Sequence, residues 1–280
     1  MTDLALLLDI DGTLTPARRD LEREMAEALC RLTVPFHVAA GSDLPLVRHQ
    51  FLEPLHAFGF RGAFEGFVSN GAARYRCRFS ATLEVEPVSA FAIRQYLGDD
   101  YAQLVGILEE ILEDPAFALP EDQIIAGERI IDRGGMVNFA PAGRPQGRLD
   151  ERDRRSREQF VAFDRETGLR LRIKQELEKR LARLVAERDL HIMLGGQTSF
   201  DIVVRGQDKT NAVRTLLGEG VERIVFLGDA LRPGGNDSVI REWVETWSGP
   251  GACPLTAIEV ADPVDTIRTF ERKGWLRAGT

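Results

Sequence analysis

The chain has 280 residues, enough for one large or two modest domains, and 44% hydrophobic with 29% charged residues is typical of a globular enzyme. The net charge of −8 argues against general nucleic-acid binding, and no apolar run is long enough to span a bilayer. With no signal-peptide pattern at the N-terminus and scattered cysteines that form no metal motif, we expect a cytoplasmic enzyme that acts on a small molecule.

The first part of the chain alternates apolar strands with amphipathic helices. The spacing predicts strands over 4–8, 36–40 and 67–68, and helices over 21–32 and 44–58. Because strands that alternate with helices pair in parallel, this opening predicts an α/β fold with a doubly wound parallel sheet.

The pattern changes between residues 84 and 205, where strands and long helices no longer alternate. Helical spacing covers 91–112 and 169–188, with short strands at 136–139, 191–194 and 200–204. The alternation then returns with a helix at 209–217, a strand at 224–227, a helix at 237–247, a strand at 257–260 and a helix at 263–270. We therefore expect a core domain formed by 1–83 and 206–280, with an inserted α+β cap domain over 84–205.

Two aspartates follow the first strand. Asp9 and Asp11 point the same way because they are two residues apart, toward the sheet edge where open α/β sheets bind ligands. Gly12 allows the sharp turn that follows. Such a pair can divide its labour, with Asp9 as nucleophile and Asp11 as general acid and base, or it can be an ordinary acidic turn.

Two further polar residues lie where core strands end or helices begin. The Ser42 hydroxyl could hold a phosphate oxygen or cap the helix that starts near residue 44. Lys209 opens a helix, where the macrodipole disfavours a positive charge, so a nearby phosphoryl group would explain it. A solvated surface lysine explains the same residue equally well.

A fourth acidic position follows the strand at 224–227. That strand delivers Asp229 to the same edge, and a glycine-rich turn with Asn236 and Asp237 comes after it. Mg²⁺ prefers oxygen ligands, so Asp9, Asp229 and the Asp11 carbonyl could bind it, with Asn236 and Asp237 binding directly or supporting them. Asp237 could instead only cap the following helix.

Taken together, these segments resemble the haloacid dehalogenase (HAD) superfamily. The resemblance is carried by 9–13, Ser42, Lys209 and the stretch 228–237, in that order. It implies a doubly wound HAD core, a Mg²⁺ cofactor and an aspartyl-phosphate formed on Asp9. The insertion matches the type of cap found between the second and third motifs of that superfamily.

The segments of the insertion narrow the resemblance to the eukaryotic-type phosphomannomutases. Residues 9–18, 133–144 and 195–201 are similar to segments of that family. The resemblance implies that Arg18 lies by the active site, and that the sugar phosphate is held by Arg133, Arg144, Ser199 and Asp201. A further arginine falls on Arg157, with Arg148 and Arg152 as rivals because an insertion follows Arg144. Asp201 is the candidate for reading sugar hydroxyls.

The same resemblance sets the expected activity. It implies interconversion of hexose 1-phosphate and hexose 6-phosphate, mannose phosphate first, with a hexose 1,6-bisphosphate activator and a homodimer formed through the cap. The apolar face of 91–112 could form that dimer or pack inside the cap. Residues 69–71 are instead similar to the Cof-type sugar phosphatases, so Mg²⁺-dependent hydrolysis of a sugar phosphate is the alternative. The core motifs serve both reactions, which differ in whether a sugar or water accepts the phosphoryl group.

Overall fold

The computed structural model describes residues 3–17, 19–145 and 150–278. It divides the chain into two compact units. The first comprises Met1–Phe91, Gly206–Pro233 and Asp237–Thr280, and the second Ala92–Arg205 and Gly234–Asn236.

The strands and helices follow one another along the chain within these ranges. The strands are β1 (Ala5–Leu8), β2 (Phe36–Ala39), β3 (Gly62–Val68), β4 (Ala73–Phe79), β5 (Leu83–Ala90), β6 (Glu128–Asp132), β7 (Val137–Arg144), β8 (Leu190–Gly195), β9 (Ser199–Val204), β10 (Ile224–Gly228) and β11 (Leu255–Glu259). The helices are α1 (Arg23–Arg31), α2 (Leu44–Val47), α3 (Glu53–Ala57), α4 (Ile93–Leu97), α5 (Asp100–Glu113), α6 (Glu151–Thr167), α7 (Leu169–Arg180), α8 (Ala182–Glu187), α9 (Lys209–Gly218), α10 (Ser238–Glu245) and α11 (Pro263–Arg272). A π-helical turn, Arg48–Leu52, joins α2 to α3.

The first unit is built on a central sheet with the strand order β11-β10-β1-β2-β3-β4-β5. The pairs from β11 to β3 are parallel, and β4 and β5 extend the sheet in antiparallel fashion. The middle strand β1 is buried along its whole length, as expected for a parallel strand covered on both faces. This arrangement confirms the predicted doubly wound core.

The antiparallel extension was not predicted from the sequence. Charged residues recur along β4 and β5, so neither segment has the apolar pattern by which a strand is predicted. These residues pair across the hairpin, for example Arg78 with Glu86 at 2.7 Å. Since β5 pairs with β4, the first unit continues to Phe91, beyond the boundary expected at residue 83.

The second unit has an antiparallel sheet with the strand order β6-β7-β9-β8. Phe139 of β7 stacks on Phe200 of β9 in its core, with ring centroids 5.7 Å apart. The helix expected over 91–112 is divided into α4 and α5 because Gly98 has a positive φ of 57°. The arginine-rich stretch after residue 150, for which no helix is predicted above, forms α6, which is capped by Asp150 and buries Phe160.

Among the described residues, every helix is too short or too polar to cross a membrane.

Candidate active site

The first aspartate of the expected motif lies at the end of β1 in the first unit. The backbone N–H of Asp9 donates to the carbonyl of Leu227, which continues the pairing with β10 for one residue and fixes the aspartate at the sheet edge. The Asp9 side chain is buried, with 1% of the residue exposed. Its Oδ1 accepts a hydrogen bond from Lys209, whereas its buried Oδ2 has no hydrogen-bond partner among the described residues.

Lys209 is fully buried rather than solvated. It opens α9, whose N-cap Asp208 accepts hydrogen bonds from the backbone and hydroxyl of Thr210. The Lys209 Nζ lies 2.5 Å from Asp9 Oδ1 and 2.5 Å from Asp237 Oδ1. These ion pairs explain a lysine at a helix start, because two carboxylates outweigh the unfavourable macrodipole at close range.

Asp237 binds Lys209 and does not cap α10. Its carboxylate makes no capping hydrogen bond to that helix, and its Oδ2 accepts from the backbone N–H of Ala230 at 3.4 Å. Asp237 is fully buried, so its charge depends on the lysine for compensation. The alternative that this residue serves only as a helix cap is therefore wrong.

Three carboxylates of the described residues converge around Lys209. Asp9, Asp229 and Asp237 each offer an oxygen, and these oxygens lie within 4.8 Å of one another. One ammonium group balances only part of that charge. Carboxylate oxygens are the ligands that Mg²⁺ prefers, so the cluster fits a magnesium ion in donor type and in charge.

The shared burial perturbs the acidities of the cluster. Burial, reinforced by the charges of Asp237 and Asp229, raises the pKa of Asp9 well above its usual value against the pull of Lys209. Burial and the Asp237 charge likewise raise the pKa of Asp229 to about 6. Burial opposes the charge on Lys209, but the carboxylates of Asp237 and Asp9 outweigh it, and the lysine pKa is raised.

Two glycines allow these carboxylates to approach the backbone. A Cβ on Gly12, which has a φ of 84°, would overlap the carboxylate of Asp229. A Cβ on Gly228 would overlap the carboxylate of Asp237. The acidic cluster therefore restricts both positions to glycine, and the positive φ adds to this restriction at Gly12.

Ser42 and Asp11 form a second contact at the same sheet edge. The Ser42 hydroxyl donates to Asp11 Oδ2 at 3.2 Å. The cap of α2 is Asp43, which accepts from the backbone N–H of Leu46, so Ser42 is not needed for capping. The structure thus joins four predicted catalytic residues as two pairs, Asp9 with Lys209 and Asp11 with Ser42.

A separate polar cluster lies in the second unit, on β7 and β9. It contains three residues predicted to hold the sugar phosphate, Arg144, Ser199 and Asp201, which contact one another through Asn138. Asn138 belongs to the matched segment but was not singled out from the sequence. No local signal in the sequence marks Asn138, because its role depends on its place opposite Asp201 in β9.

The remaining predicted arginines lie on other elements of the second unit. Arg133 forms the tight turn between β6 and β7, and its backbone N–H donates to the Met136 carbonyl. Arg157 lies on α6, where burial lowers its pKa and its Nε has no hydrogen-bond partner among the described residues. Its rival Arg152 is exposed. A buried, unsatisfied guanidinium nitrogen favours Arg157 as an anion ligand.

Three predicted positions remain predictions. Arg18 and Arg148 lie outside the described residues. Asn236 is half-buried in the turn before α10, and its role as a magnesium ligand stays a prediction.

Known protein sequences are similar to this chain over most of its length. A model of the eukaryotic phosphomannomutase family matches residues 25–271. A probable phosphomannomutase of Caenorhabditis elegans is 30% identical over 243 residues, covering 84% of this chain and 85% of the relative. A phosphomannomutase of Triticum aestivum is 32% identical over 238 residues, covering 84% of this chain and 85% of the relative.

Comparison with solved structures supports the fold alone. The N-terminally truncated, IMP-bound IMP-nucleotidase of Plasmodium falciparum matches with a TM-score of 0.62 at 13% identity, covering 96% of this chain and 67% of that chain. The C-terminal domain of the Candida albicans trehalose synthase regulatory protein matches with a TM-score of 0.56 at 12% identity, covering 93% and 85%. These likenesses and the two-unit architecture agree with the expected HAD fold, and the family match decides the finer assignment: the chain belongs to the eukaryotic phosphomannomutase family.

Proposed function

We propose that this protein interconverts hexose 1-phosphate and hexose 6-phosphate, with mannose phosphate as the preferred substrate, through a phosphoryl group carried on Asp9. The observation that carries the proposal is the Asp9 carboxylate. Its Oδ1 is held by a fully buried lysine while its Oδ2 is unpaired, which leaves one oxygen oriented for attack on phosphorus.

The charges around Asp9 suit phosphoryl transfer. Most catalysis of this reaction comes from positioning and from stabilising negative charge on the phosphoryl oxygens. Lys209 supplies a fixed positive charge, and a magnesium ion held by Asp9, Asp229 and Asp237 would supply more. That ion would also keep Asp9 and Asp229 ionised despite their raised pKa values. The Asp11 carbonyl and Asn236 are the further ligands that we propose for this ion.

Asp11 and Ser42 would handle the proton and a phosphoryl oxygen. As the Asp9 oxygen forms its bond to phosphorus, the bond from phosphorus to the sugar oxygen breaks, and Asp11 protonates that leaving oxygen. In the other half of the cycle, Asp11 removes a proton from the free hydroxyl of hexose 1-phosphate, which takes the phosphoryl group from phosphorylated Asp9 and becomes hexose 1,6-bisphosphate. The bisphosphate then returns its 1-phosphoryl group to Asp9 and leaves as hexose 6-phosphate. The Ser42 hydroxyl already contacts Asp11 Oδ2, so it can orient that carboxyl group and bind the transferred phosphate.

The second unit would bind the part of the sugar phosphate that does not react. Arg144 and Arg157, together with Arg133, offer guanidinium groups that suit bidentate phosphate binding. Ser199 and Asp201 offer acceptor oxygens that suit hydrogen bonds from sugar hydroxyls. A mutase needs such a binding site for the second phosphate, because it must bind a bisphosphate in either orientation.

Phosphorus NMR of mannose 1-phosphate, with Mg²⁺ and catalytic hexose 1,6-bisphosphate, tests the proposal. We expect a 6-phosphate signal to grow without inorganic phosphate, and no change with Asp9→Asn. Growth of inorganic phosphate alone would show that water is the acceptor and that the protein is a sugar-phosphate phosphatase. A parallel experiment with glucose 1-phosphate decides the preferred sugar.

A further inference from the structure

One amide side chain links the predicted sugar-phosphate ligands of the second unit. Asn138 lies in β7 directly opposite Asp201 of β9, and 1% of the residue is exposed. Its neighbours along β7 are apolar and buried, for example Val137 and Phe139. Burying a polar amide in such surroundings is unfavourable unless its hydrogen bonds are made.

The Asn138 amide group makes those hydrogen bonds to the binding residues themselves. Its Nδ2 lies 2.6 Å from Asp201 Oδ1, 3.1 Å from Ser199 Oγ and 3.2 Å from the Phe200 carbonyl. Its Oδ1 lies 3.4 Å from Nη1 of Arg144. One side chain therefore contacts three predicted ligands of the sugar phosphate.

The surroundings leave one orientation for this amide. Rotating the group by half a turn would place Oδ1 against the Asp201 carboxylate and the Ser199 oxygen, and would place the N–H donors against the Arg144 guanidinium. Acceptors would then face acceptors and donors would face donors. Aspartate at this position, although equal in shape, would set two carboxylates side by side.

The Ser199 hydroxyl is oriented by the same contact. It donates its proton to the Gly195 carbonyl at 2.7 Å, so its oxygen accepts the hydrogen bond from Asn138. A Cβ on Gly195 would lie 2.8 Å from Asp201 Oδ1 and 2.9 Å from Ser199 Oγ, so the glycine leaves room for both side chains. Donor and acceptor roles at Ser199 and Asp201 are thus fixed before any ligand binds.

We propose that Asn138 is a positioning residue of the sugar-phosphate binding site in the second unit. It orients Ser199, Asp201 and Arg144, so that these side chains lose little entropy when they bind the substrate. This inference rests on the proposed function. It assigns to Asn138 control of substrate affinity, because the residue acts on binding groups and not on the reacting phosphoryl group.

The test replaces Asn138 and separates affinity from turnover. Asn138→Asp keeps the shape but loses both N–H donors and adds a charge beside Asp201. We expect KM for mannose 1-phosphate to rise about 30-fold, with kcat changed by less than about threefold. Calorimetric titration with mannose 1-phosphate should show the same loss of affinity without any turnover.

A second variant and a matched control keep the result interpretable. Asn138→Ala removes both amide donors without adding charge, and KM should rise by about tenfold. Gln123→Glu makes the same amide-to-carboxylate change at another buried position of the second unit, 7% exposed, and should leave KM unchanged.

The outcomes separate this inference from the proposed function. If both Asn138 variants bind mannose 1-phosphate within twofold of the wild-type protein while their Tm falls, the residue is only structural and the inference is overturned. If the wild-type protein binds mannose 1-phosphate but does not isomerise it, the proposed function fails, and the loss of binding in the variants still supports Asn138. A wild-type protein that does not bind mannose 1-phosphate would overturn both.

Discussion

The two units organise their functional side chains by different physical means. In the first unit, the buried carboxylates of Asp9, Asp229 and Asp237 surround the single ammonium of Lys209, so negative charge exceeds positive charge within the described cluster. In the second unit, a neutral amide holds a serine, an aspartate and an arginine through hydrogen bonds. The first arrangement holds like charges close together, which strains it electrostatically, whereas the second has its hydrogen bonds already made.

The difference teaches where each kind of preorganisation is useful. A site that binds a transferring phosphoryl group and a divalent cation benefits from charges held in place, at some cost to stability. A site that recognises the rest of the substrate benefits from fixed donors and acceptors. Substitutions in the first unit should therefore change turnover and stability together, and substitutions in the second should change affinity.

The largest effect is expected for Asp9→Asn. Loss of the proposed nucleophile should lower turnover by about a thousandfold or more, measured by phosphorus NMR. The raised pKa of Asp9 shows that burial disfavours its charge, so the neutral variant should unfold at a Tm equal to or above that of the wild-type protein without Mg²⁺. A lower Tm would show that the cluster is not strained.

Lys209→Met should have the opposite effect on stability. It removes the buried ammonium that both Asp9 and Asp237 need, so we expect unfolding to become easier by about 3–5 kcal/mol together with loss of activity. Urea denaturation of Lys209→Met and of Asp9→Asn measures the change in unfolding free energy. We expect a decrease for Lys209→Met and no decrease for Asp9→Asn. A Lys209→Met protein as stable as the wild type would contradict the ion-pair assignment.

Arg144→Met tests the second unit. Losing the guanidinium should raise KM for mannose 1-phosphate by about 10- to 100-fold and leave kcat nearly unchanged, because the residue would bind the non-reacting phosphate. Arg172→Met on α7 is the control, because Arg172 is exposed and is not among the predicted sugar-phosphate ligands; its KM should be unchanged. If steady-state kinetics show instead that kcat falls as much as kcat/KM, Arg144 acts on the transition state. The expectation that the second unit controls only affinity would then be wrong.

The stability of the first unit should also fall in acid because of His37. Burial lowers the pKa of this histidine to about 4, although the charge of Glu65 opposes the shift, with Arg74 and Glu219 as the other charged neighbours. The folded state therefore binds the histidine proton less tightly than the unfolded state. This residue's contribution to stability is present above the ordinary pKa of about 6.5 and falls as the pH drops toward 4, by at most about 3 kcal/mol.

His37→Asn checks this expectation. Asparagine can still accept the hydrogen bond that His37 Nδ1 receives from the Glu65 N–H, but it does not titrate. The difference in unfolding free energy between wild type and variant, measured by urea denaturation, should change between pH 6.5 and 4. A difference that stays flat over this range would contradict the buried neutral histidine.

The smallest effect is expected for Thr266→Val. The Thr266 hydroxyl of α11 donates to the Thr13 carbonyl at 2.8 Å and so supports the loop that carries Asp11. Losing this hydrogen bond should cost about 1 kcal/mol of stability and lower kcat a few-fold. Thr269→Val, one turn along the same helix, should change stability without changing kcat.

The sequence was most informative where function depends on local chemistry. Asp9, Lys209 and Asp229 follow strand ends or begin helices, so short motifs and the parallel alternation predicted both their chemistry and their common edge. The hairpin β4–β5 was missed because its residues are charged on both strands, and α6 was missed because most of its residues are charged and few are apolar and buried.

Asn138 and Asp237 show what motif reasoning could not provide. A neutral amide in a short apolar strand carries no chemical signature, and its role depends on which residue lies opposite it in β9. The choice between a helix cap and an ion pair at Asp237 depends on Lys209, far away in the chain. Contacts between distant segments decide both cases, and one sequence alone does not specify them.

The most direct test of the central claim is to locate the phosphoryl group on the protein. The wild-type protein with Mg²⁺ is mixed with hexose 1,6-bisphosphate carrying radioactive phosphorus, quenched in acid and mapped by peptide mass spectrometry. We predict that the label is found on Asp9, is absent from Asp9→Asn, and is discharged by added mannose 1-phosphate. Label on another residue, or turnover with no label on Asp9, would contradict the account.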